Sequence, residues 1–411
     1  MSRLSLILIA LLIIHSVCAQ PKHVQTGIEV LRERHFDILQ GKMVGLITNP
    51  TGVDSKLNST IDILSGAGGV KLVALFAPEH GVRGDHAAGE TVESYIDEPT
   101  KLPVYSLYGK VRKPTQKMLD NVDVLVYDIQ DIGCRAYTYI STMGLAMEAA
   151  AENHIEFVVL DRPDPLGGER VEGNIVETGF TSFLSQFPIP YVYGLTCGEL
   201  ARLLNEEGLL KDGVRCKLTV VPMKGWRRSM VFDDTGLPWV PTSPHLPTAA
   251  TAAFCVATGI LGELGVVSEG VGYTLPFQTL AAPWINPALL AEALNGLKID
   301  AVRFRPLSFK PFYGRWKDST LHGVQLYFTD ASKLNLMSMQ FLFMQVHHEL
   351  YPGVDVFSMA GATAIKSFDN VLGTSEIRMR FSKRLRYEDI KEYLEKDVAD
   401  FRKRSEKYWI Y

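Results

Sequence analysis

Acidic, imidazole and guanidinium side chains gather at a few places in this sequence, each just after an apolar run. Asn49-Pro50-Thr51-Gly52 follows one such run and Pro78-Glu79-His80-Gly81 a second. Asp128-Ile129-Gln130-Asp131 closes a third, with Arg135, Tyr137 and Tyr139 close behind, and Asp161-Arg162-Pro163-Asp164 follows a fourth. Carboxylates beside Tyr, Arg and Asn suit carbohydrate chemistry. Cleaving a glycosidic bond takes one carboxylic acid to protonate the leaving oxygen and a second group to act as base or nucleophile. Partial burial or a neighbouring carboxylate raises an acid's pKa toward working pH and fits it for such a role. Glu79 is the natural candidate, because it follows Pro78 in a rigid turn beside His80. Tyr137, Tyr139, Tyr191 and Tyr193 are available to stack on sugar rings.

Other chemistries find less support. There is no Gly-x-Ser-x-Gly elbow for a serine nucleophile and no phosphate-cradling P-loop. Ser65-Gly66-Ala67-Gly68-Gly69 precedes an apolar run instead of following one, so it reads as a turn. A metal site through Glu79, His80, Asp85 and His86 lacks a His-Glu-x-x-His element, and His347-His348-Glu349 falls in a predicted helix elsewhere. No metal and no cofactor are expected. The 42 Lys and Arg against 46 Asp and Glu leave a net charge of -4, with no basic excess for a nucleic-acid partner.

The elements that must position these residues follow from periodicity. Apolar runs at 43–49, 70–77, 122–129, 156–161 and 217–221 read as strands. Helical patterns fall at 61–64, 116–119, 142–153 and 197–207, the last starting at Thr196 with Glu199 three residues on. Continuous apolar strands separated by helices predict a parallel sheet covered on both faces. In such sheets ligands bind beyond the carboxyl ends of the strands, where the acids above lie. A Pro-rich stretch at 237–248 breaks the rhythm. Beyond it, strands are predicted at 302–306, 324–329 and 377–381, and helices at 289–297, 333–350 and 387–404. The expected fold is α/β: a Rossmann-like, mostly parallel sheet domain over 20–245, then a smaller α+β domain over 246–411 that completes a cleft.

Residues 1–19 read as a signal peptide. Arg3 precedes an apolar segment too short to span a bilayer, and Val17-Cys18-Ala19 fits cleavage before Gln20. The rival reading makes Cys18 a lipid-modified first residue. No later apolar run is long enough to span a membrane. Cys134, Cys197, Cys216 and Cys255 match no metal-finger spacing and read as buried free thiols.

Four motifs in order carry a family resemblance: Leu46-Ile47-Thr48-Asn49-Pro50-Thr51-Gly52, Ala77-Pro78-Glu79-His80-Gly81, Asp128-Ile129-Gln130-Asp131-Ile132-Gly133 and Asp161-Arg162-Pro163-Asp164-Pro165-Leu166-Gly167-Gly168. Glu172-Gly173, Gly194-Leu195-Thr196-Cys197-Gly198-Glu199-Leu200 and Ser243-Pro244-His245-Leu246-Pro247-Thr248 continue it. Together they resemble the NamZ-type exo-β-N-acetylmuramidases over essentially the whole chain after the leader. The resemblance implies a glycoside hydrolase that releases N-acetylmuramic acid from the non-reducing end of peptidoglycan-derived muropeptides or disaccharides, in cell-wall recycling, exported to a bacterial periplasm. It implies Glu79 as the catalytic residue, with the second catalytic group being His80, Asp128, Glu172, Asp131 or the substrate's own acetamido group. Asn49, Asp131, Arg135, Tyr137, Tyr139, Asp161, Arg162, His245 and Glu269 would bind substrate. Two positions depart from the family pattern: Val271 stands where an Arg is usual, near Glu269, and His245 where an Asn is usual. Because the lactyl carboxylate of such a sugar is anionic, a cation is expected in the cleft, with Arg135 and Arg162 the nearest strand-end choices. A non-catalytic exported muropeptide-binding protein and a metal-dependent amide or ester hydrolase are the competing readings. Converging acids favour an enzyme over the binding protein, and loss of activity on chelation would mark the metal-dependent hydrolase.

Overall fold

The computed structural model describes residues 23–84 and 93–411. The leader at 1–19 with Cys18, and the pair Asp85 and His86, lie outside the described residues. The main sheet has seven strands: β1 Met43–Thr48, β2 Lys71–Ala77, β3 Tyr95–Ile96, β4 Pro103–Ser106, β5 Val124–Asp128, β6 Glu156–Leu160 and β7 Lys217–Val221, in the order β3-β4-β2-β1-β5-β6-β7. All neighbours are parallel except β3, which runs antiparallel to β4 at the edge. The order reverses between β1 and β5, the switch point of a doubly wound sheet.

Both faces of this sheet are covered, which is why its central strands are largely apolar. Helices α1 Gly27–Glu33 and α2 Thr60–Ser65 bring Ile28 and Ile61 onto Val44, Leu46, Val124, Val126 and Val158. After the short α3 Gln116–Leu119, helices α4 Tyr139–Glu152 and α5 Cys197–Glu206 bring Ile140, Met143 and Leu200 onto Ile47, Phe76, Leu125, Tyr127 and Phe157 on the other face. The start of α5 is fixed by a reciprocal cap in which Thr196 Oγ1 accepts from Glu199 N and Glu199 Oε2 accepts from Thr196 N, both at 3.2 Å.

The second lobe begins with α6 Thr251–Gly262. Its sheet consists of β8 Thr279–Ala282, β9 Val302–Phe309 and β10 Leu321–Phe328, antiparallel in the order β8-β10-β9. The second lobe also holds α7 Pro287–Gly296, α8 Ser338–Leu350, α9 Val356–Met359, α10 Ala362–Leu372, α11 Glu376–Phe381 and α12 Glu388–Glu395, while α13 Val398–Ser405 returns to the first lobe, where Phe401 joins the cluster of Leu200 and Phe157. Residues 377–381, predicted as a strand, form α11. The alternating pattern is misleading because Met379, which a strand would bury with Ile377 and Phe381, is exposed. The i,i+4 pair Ile377 and Phe381 faces the core instead. The single helix predicted at 387–404 is α12 and α13, broken at Lys396-Asp397.

The lobes share one interior. Ile132, Cys134, Leu166, Tyr191 and Val192 of the first belong to the same apolar cluster as Phe341, Val371 and Leu372 of the second. No helix among the described residues is long and apolar enough to cross a membrane. Among the described residues the four cysteines are free thiols, with Cys134, Cys197 and Cys216 buried and Cys255 half-buried.

Candidate active site

β2 delivers Glu79 at its carboxyl end. Pro78 to Gly81 is a tight turn closed by Gly81 N donating to Pro78 O at 3.2 Å, and within it His80 has φ +74°. That is the left-handed region where glycine is usual. A non-glycine residue held there costs on the order of 1–3 kcal/mol, so the fold spends stability to keep an imidazole at this position. Glu79 is half-buried and His80 is buried. Thr138, the residue preceding α4, donates its hydroxyl to Glu79 Oε2 at 3.3 Å. The Tyr108 hydroxyl also meets this carboxylate. Burial first, then the Glu79 charge and hydrogen bond, push the Tyr108 phenol up to about 12, while Arg112 pulls it the other way.

The Pro-rich stretch passes over this corner. Tyr139 donates its hydroxyl to Thr242 O at 2.5 Å and Tyr137 donates to Thr242 Oγ1 at 2.7 Å, the two rings meeting edge to face at 4.9 Å. Burial raises the Tyr139 phenol above its ordinary range, and the Glu79 charge adds to it. Three residues on, His245 Nε2 lies 2.6 Å from the Tyr313 hydroxyl, which links the junction to the β9–β10 connection. Burial, reinforced by His80 nearby, holds the His245 imidazole below its ordinary pKa. Asn49 is buried at the end of β1. Its Oδ1 accepts from Thr51, and its side chain also meets the Tyr139 hydroxyl. Asn49, Glu79, His80, Tyr137, Tyr139 and His245 are therefore brought together.

The remaining expected residues are placed elsewhere. Asp128 continues the face of Val124 and Val126, toward α1 and α2, whereas Glu79 meets the start of α4 on the opposite face. Asp128 accepts from Thr60 Oγ1 and from Arg162 Nε, both at 2.5 Å, and Arg162 Nη2 donates to Val53 O at 2.8 Å. Asp161 accepts from Thr196 Oγ1, Gly198 N and the Tyr411 hydroxyl at 2.7–2.8 Å, at the start of α5. A Cβ on Gly198 would lie 2.7 Å from its carboxyl carbon, so only glycine lets the helix approach. Burial pushes Asp161 up to about 6.

Arg135 is wholly buried and gives its donors to the carbonyls of Asn174, Ile189 and Val371 at 2.6–2.9 Å; burial brings it down to about 10. Glu172 pairs with Arg170 and accepts from Met337 N at 2.9 Å, while Arg170 also binds Leu334 O and Ala331 O, so this pair stitches one lobe to the other. Asp131 accepts from Tyr193 and Gly133 N beneath the site. Burial pushes it up to about 7, and its Oδ1 has no protein partner. Glu269 lies in the second lobe beside the end of α6, raised to about 7 by burial with the Glu263 carboxylate adding. Both arginines expected to face a sugar carboxylate are thus committed inside the fold.

Tyr108, Thr138, Thr242 and Tyr313 were not among the expected residues. Tyr108 lies just past β4, a strand too short and too Pro-marked to register as an apolar run. Had β4 been legible, the strand-end rule would have selected Tyr108.

Residues 44–250 match the family described as exo-beta-N-acetylmuramidase NamZ, N-terminal, and residues 255–411 match its C-terminal counterpart. The chain belongs to the NamZ family. A peptidoglycan beta-N-acetylmuramidase NamZ of Bacillus subtilis is 47% identical over 393 residues, covering 96% of this chain and 92% of the relative. A crystal structure of a DUF1343 family protein from Bacteroides fragilis superposes with a TM-score of 0.91 at 57% identity, covering 95% of this chain and 100% of that one. A second DUF1343 structure from the same organism gives 0.75 at 28% identity, covering 94% and 99%. The NamZ match spans both lobes, including the β2 turn, the Pro-rich stretch and the β9–β10 connection that meet at Glu79 and His245.

Proposed function

We propose that this protein is an exo-acting glycoside hydrolase that releases N-acetylmuramic acid from the non-reducing end of peptidoglycan fragments. The observation that carries this reading is Glu79, a half-buried carboxyl at a strand end, with the hydroxyls of Thr138 and Tyr108 on it and Asn49, His80 and His245 around it. The Bacillus subtilis relative, named for this activity, supports it.

Glu79 handles the proton at the glycosidic oxygen. Thr138 and Tyr108 fix the rotamer of its carboxyl group. The half-buried His245 imidazole offers a polar contact to a sugar hydroxyl or the acetamido group. Asp128 and Glu172, both buried and ion-paired, hold the sheet end and the contact between the lobes. Export to a periplasm through the leader at 1–19, or anchoring through Cys18, and a place in cell-wall recycling belong to the same reading.

Incubating the protein with a muramic acid–glucosamine disaccharide, then determining product mass and anomeric form, tests it. Release of the terminal sugar with a defined anomer is expected. An untouched disaccharide, or cleavage only of an amide or ester bond, would overturn the reading.

A further inference from the structure

We propose that Arg112 is the residue that recognises the lactyl carboxylate of the terminal sugar. The inference rests on the glycosidase reading and deepens it. N-acetylmuramic acid differs from N-acetylglucosamine by its 3-O-lactyl arm, an anion at neutral pH, and a partly enclosed carboxylate requires a cation or several donors.

The arginines of the strand ends cannot serve. Arg135 holds three carbonyls and Arg162 holds Asp128 and Val53 O. Arg83, on the turn after Glu79, is bound two-to-two by Asp97 at 3.0 Å.

Arg112 is different. It is exposed, and its guanidinium carbon sits 4.4 Å from the centroid of the Phe183 ring. It has no carboxylate partner among the described residues. The Phe183 ring is 6.3 Å from that of Tyr108, whose hydroxyl meets Glu79. Glu79, Tyr108, Phe183 and Arg112 therefore form a row that runs from the proton donor to a cation with no carboxylate partner among the described residues. A guanidinium lying on an aromatic face keeps its N–H edges free, and two of them match the two oxygens of a carboxylate. With the glycosidic oxygen at Glu79, the lactyl arm leaves the sugar two ring carbons away, on a path that an aromatic row can line.

The test uses the full protein, R112A and R112K, and two substrates that differ only in whether the lactyl group is a free acid or its primary amide. Wild type is expected to prefer the acid. In R112A that preference should vanish, with KM for the acid rising roughly 10- to 100-fold and kcat changing far less. R112K should keep part of it. An acid preference that survives in R112A, or none in wild type, overturns the assignment. Calorimetric binding of the free sugar acid and its amide separates this proposal from the one it rests on. Arg112-dependent binding without turnover removes the hydrolase and leaves the carboxylate reader. Turnover whose acid-to-amide ratio is unmoved in R112A does the reverse.

Discussion

Arg162 Nε lies 2.5 Å from Asp128 Oδ1, with both side chains buried at the end of the sheet. The pair sits near the switch point, where a doubly wound fold ordinarily receives its ligand, and fills that position with an internal ion pair. Removing one partner leaves the other charge buried and unpaired. Asp128→Ala is therefore expected to lower the unfolding free energy by about 3–5 kcal/mol, measured by denaturant titration. Turnover of the folded fraction should fall much less than in a Glu79 variant. Full stability with abolished turnover would return Asp128 to the chemistry.

Glu79→Gln keeps the size of the side chain and its contacts with Thr138 and Tyr108 but removes the transferable proton. Release of the terminal sugar should drop by about 10²–10⁴ at unchanged melting temperature. Near-normal turnover in this variant would take Glu79 out of the mechanism.

Arg135→Met keeps the length of a buried side chain but strands the carbonyls of Asn174, Ile189 and Val371. Each buried acceptor left without a donor costs about 1–3 kcal/mol, so the variant should lose at least about 3 kcal/mol of stability. A change below about 1 kcal/mol would mean that water replaces the guanidinium.

Asp131 carries the pH prediction. Burial raises it to about 7 in the folded protein, against about 3.9 in an unfolded chain. Between those values the folded state binds more protons. The stability from this group is complete below about pH 4 and is lost as pH rises through about 7. Asp131→Asn imitates the protonated form, so its melting temperature relative to wild type should climb from pH 5 to pH 8. Asp161 and Glu269 are raised in the same direction and keep a residual decline in both proteins. A difference constant with pH would show that Asp131 does not hold its proton.

The strands that position Glu79 were legible because a two-sided parallel sheet demands uninterrupted apolar runs, and β1, β2, β5, β6 and β7 have them. β4 and β8 were not, each four residues long, and α11 was misread because Met379 mimics the third member of an alternating face. At the site, position in sequence singled out Asn49, Glu79 and His80, which the fold places at one corner. It could not tell which way a side chain turns from a strand end. Asp128 and Asp161 stand at strand ends like Glu79, yet one points to α1 and α2 and the other caps α5. Arg135 and Arg162 satisfied the demand for a cation in composition only, since their partners are carbonyls and a carboxylate distant in sequence. His245 was found through the Pro-rich motif, whereas its partner Tyr313 is 68 residues away, beyond reach of any local pattern.

The apolar interior common to both lobes has a consequence for the life of the chain during synthesis. Ile132, Cys134, Leu166, Tyr191 and Val192 are complete early, but Phe341, Val371 and Leu372, which share their cluster, emerge much later. Until then the nascent first lobe presents an uncovered hydrophobic flank. A chain terminated in the Pro-rich stretch would keep that flank for good, so such a fragment should behave as a client of chaperones and proteases and not as a small independent protein.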